Sequence, residues 1–483
     1  MKIVIVYDDT GHKSEVITDI IGEKGFSDVV VRKKRLEEYY RDEVLREYPD
    51  AEWKKIQSVF EYDKLLREID LYQSEDVRVM HCFSNYLITD RTKTGLSFKK
   101  LAFADTPYAM LAEKRAVGGM FPCASAYAAF LRAVLSGQKA WDLIRNLKDF
   151  FEIEGVVDIG NIGNFIQCIT GNFDSRYFNT LKGNSYTLVK SSTNKKKIKA
   201  EYKFYHLLPE DMKFWFVMPF DYRETEEVAS YMMERLHMTD LAIKWVHGSM
   251  DSKEFNELLD KYFFFFRSRH EKDCTREEFQ RIADELYVEK VKTRIQSLKE
   301  HKEYGRMEAL LASTDAELDK LVKKYFDLKG EIESRNHYPS KLVIGHGDPC
   351  FANALYNKST KTLKFIDPKG ALIEDELWTN PYYDIAKLSH SICGRYDFFN
   401  NGLFDIKVNA QFSFDLEIPF DNKCYIKIFR EKLEENGYDY LTVRIYEASL
   451  FLSMLPLHMD NPQKVFGFIL NAKNILEEIE KNV

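Results

Sequence analysis

The stretch KLVIGHGDPCFANALYNKSTKTLKFIDPKGA, residues 341–371, decides how this 483-residue chain is read. Leu342–Ile344 predicts a short apolar strand, and His346-Gly347-Asp348 follows it in a turn. Asn353 lies five residues after Asp348. A strand over 354–356, a turn over 357–360 and a second strand over 363–366 come next. Asp367 caps that second strand, and Pro368 and Gly370 turn the chain away. Asp and Asn are ordinary turn residues, so no single position carries meaning alone. The joint pattern does, because it places two carboxylates and an amide on loops at the ends of paired short strands. Phosphoryl transfer needs that set. One carboxylate accepts or orients the proton of the attacking hydroxyl, while a second carboxylate and an amide oxygen hold Mg²⁺ on the nucleotide phosphates. Mg²⁺ is a hard cation and takes oxygen ligands.

A second half-site is expected upstream. TLVKSS predicts a strand ending near Lys190, and KIKAEYKFYHLLP predicts a helix carrying Glu201, eleven residues on. A strand lysine paired with a helix glutamate positions the α- and β-phosphates of a nucleotide. Taken alone, the pair reads as a surface lysine and a solvated glutamate. FWFVM, 214–218, predicts the strand that leads into a hinge. The loop before Lys190, LKGNSYT, has only Gly183 and lacks the G-x-G-x-x-G that cradles phosphates.

HGDPCFAN with FIDPKG resembles the catalytic and metal loops of the aminoglycoside phosphotransferase and choline kinase group, small-molecule kinases of protein-kinase-like fold. The resemblance implies Asp348 as catalytic base, Lys190 and Glu201 as nucleotide-binding residues, and Asn353 and Asp367 as metal ligands. Tyr383-Asp384-Ile385-Ala386 resembles the family's later helix start, whose Asp supports the catalytic loop. ATP and Mg²⁺ are the implied cofactors, and a small molecule with a hydroxyl group is the implied partner. FDSRYFNTLKG, VKSS, KIKAE and ASLFLSMLPLHMDNP resemble predicted bacterial capsular polysaccharide biosynthesis proteins. In those a nucleotidyltransferase-like domain precedes the kinase-like one. The acceptor implied is a sugar or other surface-polysaccharide precursor. The alternative from a different class is a scaffold, a pseudokinase fused to a pseudo-nucleotidyltransferase.

The amino-terminal part reads as alternating strands and helices, hence an α/β layer with a mostly parallel sheet. Strands are predicted at 3–6, 29–31, 77–81 and 101–103, and helices at 35–46 and 53–69. On the resemblance this is a Rossmann-like, nucleotidyltransferase-type domain with its chemistry eroded. YDDTGHKS has one glycine, Gly11, and no following Arg where the triphosphate loop belongs. Ser84 or Asn85 stands where a metal aspartate is expected. Asp158, in VVDIGN, resembles the other metal aspartate, though its Gly- and Asn-rich setting also suits a plain turn residue. The expected division is 1–175 for this domain, 176–225 for a kinase amino-terminal lobe, and 226–483 for a mostly helical carboxy-terminal lobe with an insertion at about 250–335. In that insertion Phe255, Leu258, Leu259, Tyr262, Phe263 and Phe266 mark one buried helix face, and Met307, Leu310, Leu311, Leu318, Leu321 and Tyr325 a second stripe. Aromatics near Trp378 and Tyr382 could stack a sugar, face a cation, or be packed core.

Composition sets the outer bounds. The chain is 45% hydrophobic and 30% charged, which excludes disorder. A net charge of −7 gives no global attraction to nucleic acid or anionic lipid. Lys195–Lys197 reads as a solvated loop. No run reaches membrane-span length, and MKIVIVYDD predicts a buried first strand rather than a leader. Seven scattered cysteines form no CxxC pair, which fits a reducing cytoplasm.

Overall fold

The computed structural model describes residues 2–31, 33–72, 76–169, 179–183, 186–236, 238–312, 314–335, 340–409 and 413–483, with backbone only over 179–183. The chain divides into two compact units, Met1–Phe173 and Asp174–Val483. The boundary stretch expected at 172–178, with most of FDSRYFN, lies outside the described residues, as do Asn184 and Ser185 of the loop before Lys190.

In Met1–Phe173 the run KIVIVYD forms the strand Lys2–Asp8, buried from Val4 onward. A strand apolar on both faces belongs inside a parallel sheet. It pairs in parallel with Glu52–Ile56 on one side and Val77–Phe83 on the other. Beyond Val77–Phe83 the sheet changes direction. Arg115–Phe121 runs antiparallel to it and forms a hairpin with Tyr108–Ala112, and Asp149–Glu152 then joins in parallel. Among the described residues five of the six strands run in one direction, as expected of a mostly parallel sheet, and Arg115–Phe121 is the one reversed strand. The cause is local: Glu113 and Lys114 both sit at positive φ, 49° and 65°, making a two-residue turn that commits the flanking strands to antiparallel pairing. Three expectations are corrected. The 101–103 segment is a 3₁₀ turn, Lys99–Phe103. The 53–69 helix divides into the strand Glu52–Ile56 and the helix Glu61–Asp70. Val30–Val31 pairs with Lys34–Arg35 in a small hairpin of its own.

Asp174–Val483 begins with a four-stranded antiparallel sheet in the order Asn179–Gly183, Thr187–Ser192, Ala229–Glu234, Pro219–Glu224. The helix Lys195–Leu207 lies on it. Asn194 caps that helix by accepting from the Lys197 N–H. Lys195–Lys197 is thus its first turn rather than a loop. Ile198 packs with Ala229, Tyr231 and Met233 in a small apolar cluster beneath the helix. The sheet extends past residue 225, and the chain leaves it after Glu234. FWFVM is not a strand. Trp215 and Phe216 are drawn into the core of the helical part, where Phe216 bridges Phe365. Burial of the aromatics there overrides their β-propensity.

The remainder is mostly helical. The predicted aromatic face lies on Ser252–Arg267, with all six named residues buried. Met307, Leu311, Leu318, Leu321 and Tyr325 are likewise buried, whereas Leu310 points outward at 61% exposure. Two short three-stranded sheets interrupt the helices. One joins Glu271–Asp273, Lys341–Ile344 and Trp378–Thr379, and the other joins Thr239–Asp240, Ala354–Asn357 and Thr362–Phe365. These hold the 341–371 segment on the helical body. No helix among the described residues is long and apolar enough to cross a membrane.

Candidate active site

The strand Lys341–Ile344 delivers the loop 345–353, and one buried carboxylate shapes it. Asp384, on the helix Pro381–Ile392, accepts from the backbone N–H groups of His346 (2.9 Å) and Gly347 (2.7 Å). The Arg269 guanidinium lies 3.3 Å from the same carboxylate, with both side chains fully buried. A charged acceptor on two backbone donors pins the turn more firmly than neutral bonds would. The turn has little room. A Cβ at Gly345 would come within 2.4 Å of the Thr379 methyl, and Gly347 takes φ 83°. The support role that the resemblance implied for Asp384 matches this contact set.

His346 links this loop to the next. Its Nδ1 accepts from the Asp348 N–H at 3.0 Å and its Nε2 donates to the Ile366 carbonyl at 2.9 Å. That pattern requires a neutral ring in one tautomer, and burial lowers its pKa in the same sense. Phe216 stacks on the ring, 5.8 Å between centroids at 8°. Asn353 donates its amide N–H to the Asp348 carbonyl at 2.9 Å, which leaves the amide oxygen as the group available to a cation.

The upstream pair meets this loop. Lys190 Nζ lies 2.6 Å from Glu201 Oε2 and 2.7 Å from Asp367 Oδ1. Tyr231, directly across the sheet from Lys190, donates to the same Glu201 oxygen at 3.1 Å. The Lys190 and Glu201 side chains are almost wholly buried, whereas Asp367 is 40% exposed. Burial alone pulls the Lys190 pKa down, but Asp367 and Glu201 outweigh it, so the ammonium stays charged. Asp367 sits at φ 55°, and Gly370, at φ 89°, passes so close to Ala200 that a Cβ would meet it at about 2.8 Å. There the Ala371 N–H donates to the Ala200 carbonyl at 3.1 Å. The loop from Asp367 to Ala371 is thereby fastened to the helix turn that carries Glu201.

All five predicted residues thus belong to one unit. Lys190, Glu201 and Asp367 are in direct contact, and Asp348 and Asn353 share a loop tied to the Asp367 strand through His346. Asp367 and the Asn353 amide oxygen are hard oxygen donors of the type that would hold Mg²⁺, which binds through one or two carboxylates plus substrate phosphates and water. Sequence reading missed Lys387, whose ammonium lies 3.0 Å from Asp348 Oδ1. Burial raises the Asp348 pKa, but Lys387 overcompensates and holds the carboxyl below the usual range. Lys387 lies one helical turn beyond Asp384, so helix spacing was the available signal. Tyr382 is packed against Tyr438 and Tyr446 and is core. Trp378 is half-buried, with Lys272 5.9 Å from its ring.

The residues singled out in Met1–Phe173 form a different arrangement. The strand Val156–Asp158 pairs with Tyr86–Ile88 and sets Asp158 opposite Tyr86. Asp158 Oδ1 accepts from Asn85 Nδ2 and from the Gly160 N–H, both at 2.8 Å, and Oδ2 lies 2.6 Å from Arg115. Ser84 turns instead to Asp9, at 2.6 Å. Both Asp158 oxygens are therefore engaged, one of them by a cation. Among the described residues, no group of three or more His, Cys, Asp or Glu side chains is placed to hold a metal.

No family model matches this chain, and no curated protein does. Solved structures match across the larger part of it. A thermostable mutant of aminoglycoside phosphotransferase APH(4)-Ia is 11% identical, with 62% of this chain and 94% of that chain covered at a TM-score of 0.33. Plasmodium vivax ethanolamine kinase is 11% identical, with 66% and 86% covered at 0.34. Choline kinase from Cryptosporidium parvum is 13% identical, with 66% and 95% covered at 0.31. Likeness at this level decides nothing about chemistry, which rests on the contacts described above.

Proposed function

We propose that the chain is a small-molecule kinase, transferring the γ-phosphoryl group of ATP to a hydroxyl with Mg²⁺ as cofactor. The observation that carries this reading is Lys190, buried and charged between Glu201 and Asp367, on the same frame as Asp348 and Asn353. Lys190 offsets phosphate charge, and Glu201, steadied by Tyr231, fixes where that charge sits. Bound Mg²⁺ would supply further neutralisation of the phosphates, held by Asp367 and the Asn353 oxygen. Asp348 aims the acceptor hydroxyl and takes its proton as the new O–P bond forms. The bond from the γ-phosphorus to the β–γ bridging oxygen breaks, and ADP leaves. Positioning of this kind needs a loop that does not sag, and Asp384 and His346 provide it.

A sugar or other surface-polysaccharide precursor as acceptor rests on the sequence resemblance alone. Against the scaffold alternative stand the five expected side chains, all present, with Lys190 paired to both Glu201 and Asp367; in its favour stands the single glycine, Gly183, of the loop before Lys190. For Met1–Phe173 we propose an eroded nucleotidyltransferase-like layer, supported by Arg115 standing on Asp158 where a metal would have to bind. The test is ADP release by the full chain with Mg·ATP and a panel of sugars, sugar phosphates, polyols, choline and aminoglycosides, with nucleotide binding followed by calorimetry. Acceptor-dependent ADP release supports the reading. Absence of Mg-dependent ATP binding overturns it in favour of a scaffold.

A further inference from the structure

Three side chains from two distant segments extend the site beyond Asp348. Tyr383 and Lys387 lie four residues apart on the helix Pro381–Ile392, so they share a face. Lys387 pairs with Asp348, and Lys290 Nζ donates to the Tyr383 hydroxyl at 2.7 Å from 93 residues away. Lys290 sits at the start of the helix Lys290–Lys299, inside the helical insertion. It is partly buried, and among the described residues no carboxylate lies within ion-pair distance of it. Neighbouring acids are committed elsewhere. Glu289 pairs with Lys292, and Asp384 holds Arg269 and the two loop N–H groups. The group Lys290, Tyr383, Lys387, Asp348 therefore carries two cations against one anion, in a chain whose net charge is −7. Two cations sharing one anion leave a local excess of positive charge, which attracts an anionic ligand.

We propose that the acceptor is itself an anion, a hydroxyl compound bearing a phosphate or carboxylate group that binds at Lys290 and Lys387 with its hydroxyl on Asp348. The inference rests on the kinase reading for the hydroxyl, and on the two lysines for the charge. Both cations act on Tyr383 as well. Burial pushes its phenol up, but Lys290 and Lys387 outweigh that and bring it below its ordinary value. Such a field favours an oxyanion and opposes a quaternary or primary amine, so a choline-like or amino-sugar acceptor is disfavoured at this site.

Two measurements on the full chain test this. The first titrates inorganic phosphate, and separately acetate, into protein with and without saturating Mg·AMP-PNP, comparing wild type with Lys290→Gln and Lys290→Arg. Saturable binding that weakens about tenfold in Lys290→Gln and returns in Lys290→Arg is expected. The probe that shows this dependence tells a phosphate-bearing acceptor from a carboxylate-bearing one. Binding of neither probe, or binding indifferent to Lys290→Gln, overturns the anionic site. The second compares turnover on glucose, glucose 6-phosphate, gluconate and glucosamine. Higher kcat/KM for glucose or glucosamine than for either anion overturns the proposal while leaving the kinase reading intact. Failure of the kinase reading shows separately, as absence of Mg-dependent AMP-PNP binding, and the nucleotide-free titration still reads the anion site in that case.

Discussion

Asp367 follows a short strand and Asp158 ends one, and each contacts a cationic side chain. Their surroundings differ in one respect that matters. Asp367 keeps 40% of its side chain exposed, and its cation, Lys190, is shared with Glu201. Asp158 is 16% exposed, with Arg115 on one oxygen and Asn85 and Gly160 on the other. A carboxylate with an open side beside a shared cation is accessible to a further ligand. One whose oxygens are already engaged must first lose an arginine contact. The same residue type at the same kind of strand end is thus left open or closed to a ligand by what surrounds it.

The sharpest way to break this contrast is to remove the open carboxylate. Asp367→Ala in a folded chain should abolish phosphotransfer, as should chelation of divalent cations in the wild type. Wild-type turnover in that variant, read by ADP release, would falsify the metal assignment. Asp348→Asn comes next. Loss of a positioned base is commonly worth about 10²–10⁴ in rate, so kcat should fall by that order while ATP affinity from calorimetry changes little. If ATP binding is lost as completely as in Asp367→Ala, Asp348 belongs to the metal side of the site.

Lys387→Met sharpens the comparison through pH. Lys387 holds the Asp348 pKa below the ordinary carboxylate value, so the base stays ionised to lower pH than a free carboxyl would. Without that cation, burial acts unopposed and the pKa rises. The acid limb of the pH–rate profile should therefore move to higher pH, with roughly a tenfold loss of rate near pH 5 and a smaller one near pH 8. An unmoved acid limb would mean that another group titrates there. The smallest effect is expected in the other unit. Asp158→Asn should leave phosphotransfer within about twofold of wild type and cost on the order of 1 kcal/mol by denaturant unfolding, the worth of a partly exposed ion pair. Pyrophosphate release from NTP and a sugar 1-phosphate by the wild-type chain, lost in Asp158→Asn, would reverse the view of that unit.

The segment 341–371 was legible because its information is local. Turn residues at 346–348 and 367–370 and apolar alternation between them specify strand, loop and hairpin within about thirty residues, and the structure follows that reading closely. The Lys190–Glu201 pair was legible for the same reason, strand followed directly by helix. FWFVM misled because its aromatics have strand propensity in isolation, yet Trp215 and Phe216 gain more by burial against Phe265 and Phe365. The one reversed strand of the mostly parallel sheet hinged on two residues, Glu113 and Lys114, whose positive φ is not the habit of either type.

By itself the sequence determined the chemical inventory of the site and the order in which its parts arrive, because dihedral preferences and side-chain periodicity act over a few residues. Tertiary structure decided which of those parts meet. Lys190 and Asp367 are 177 residues apart, and Lys290 and Tyr383 are 93 apart. No local preference encodes such contacts. They follow from how the sheet and helices bury their apolar faces, and that packing sets Lys387 3.0 Å from Asp348.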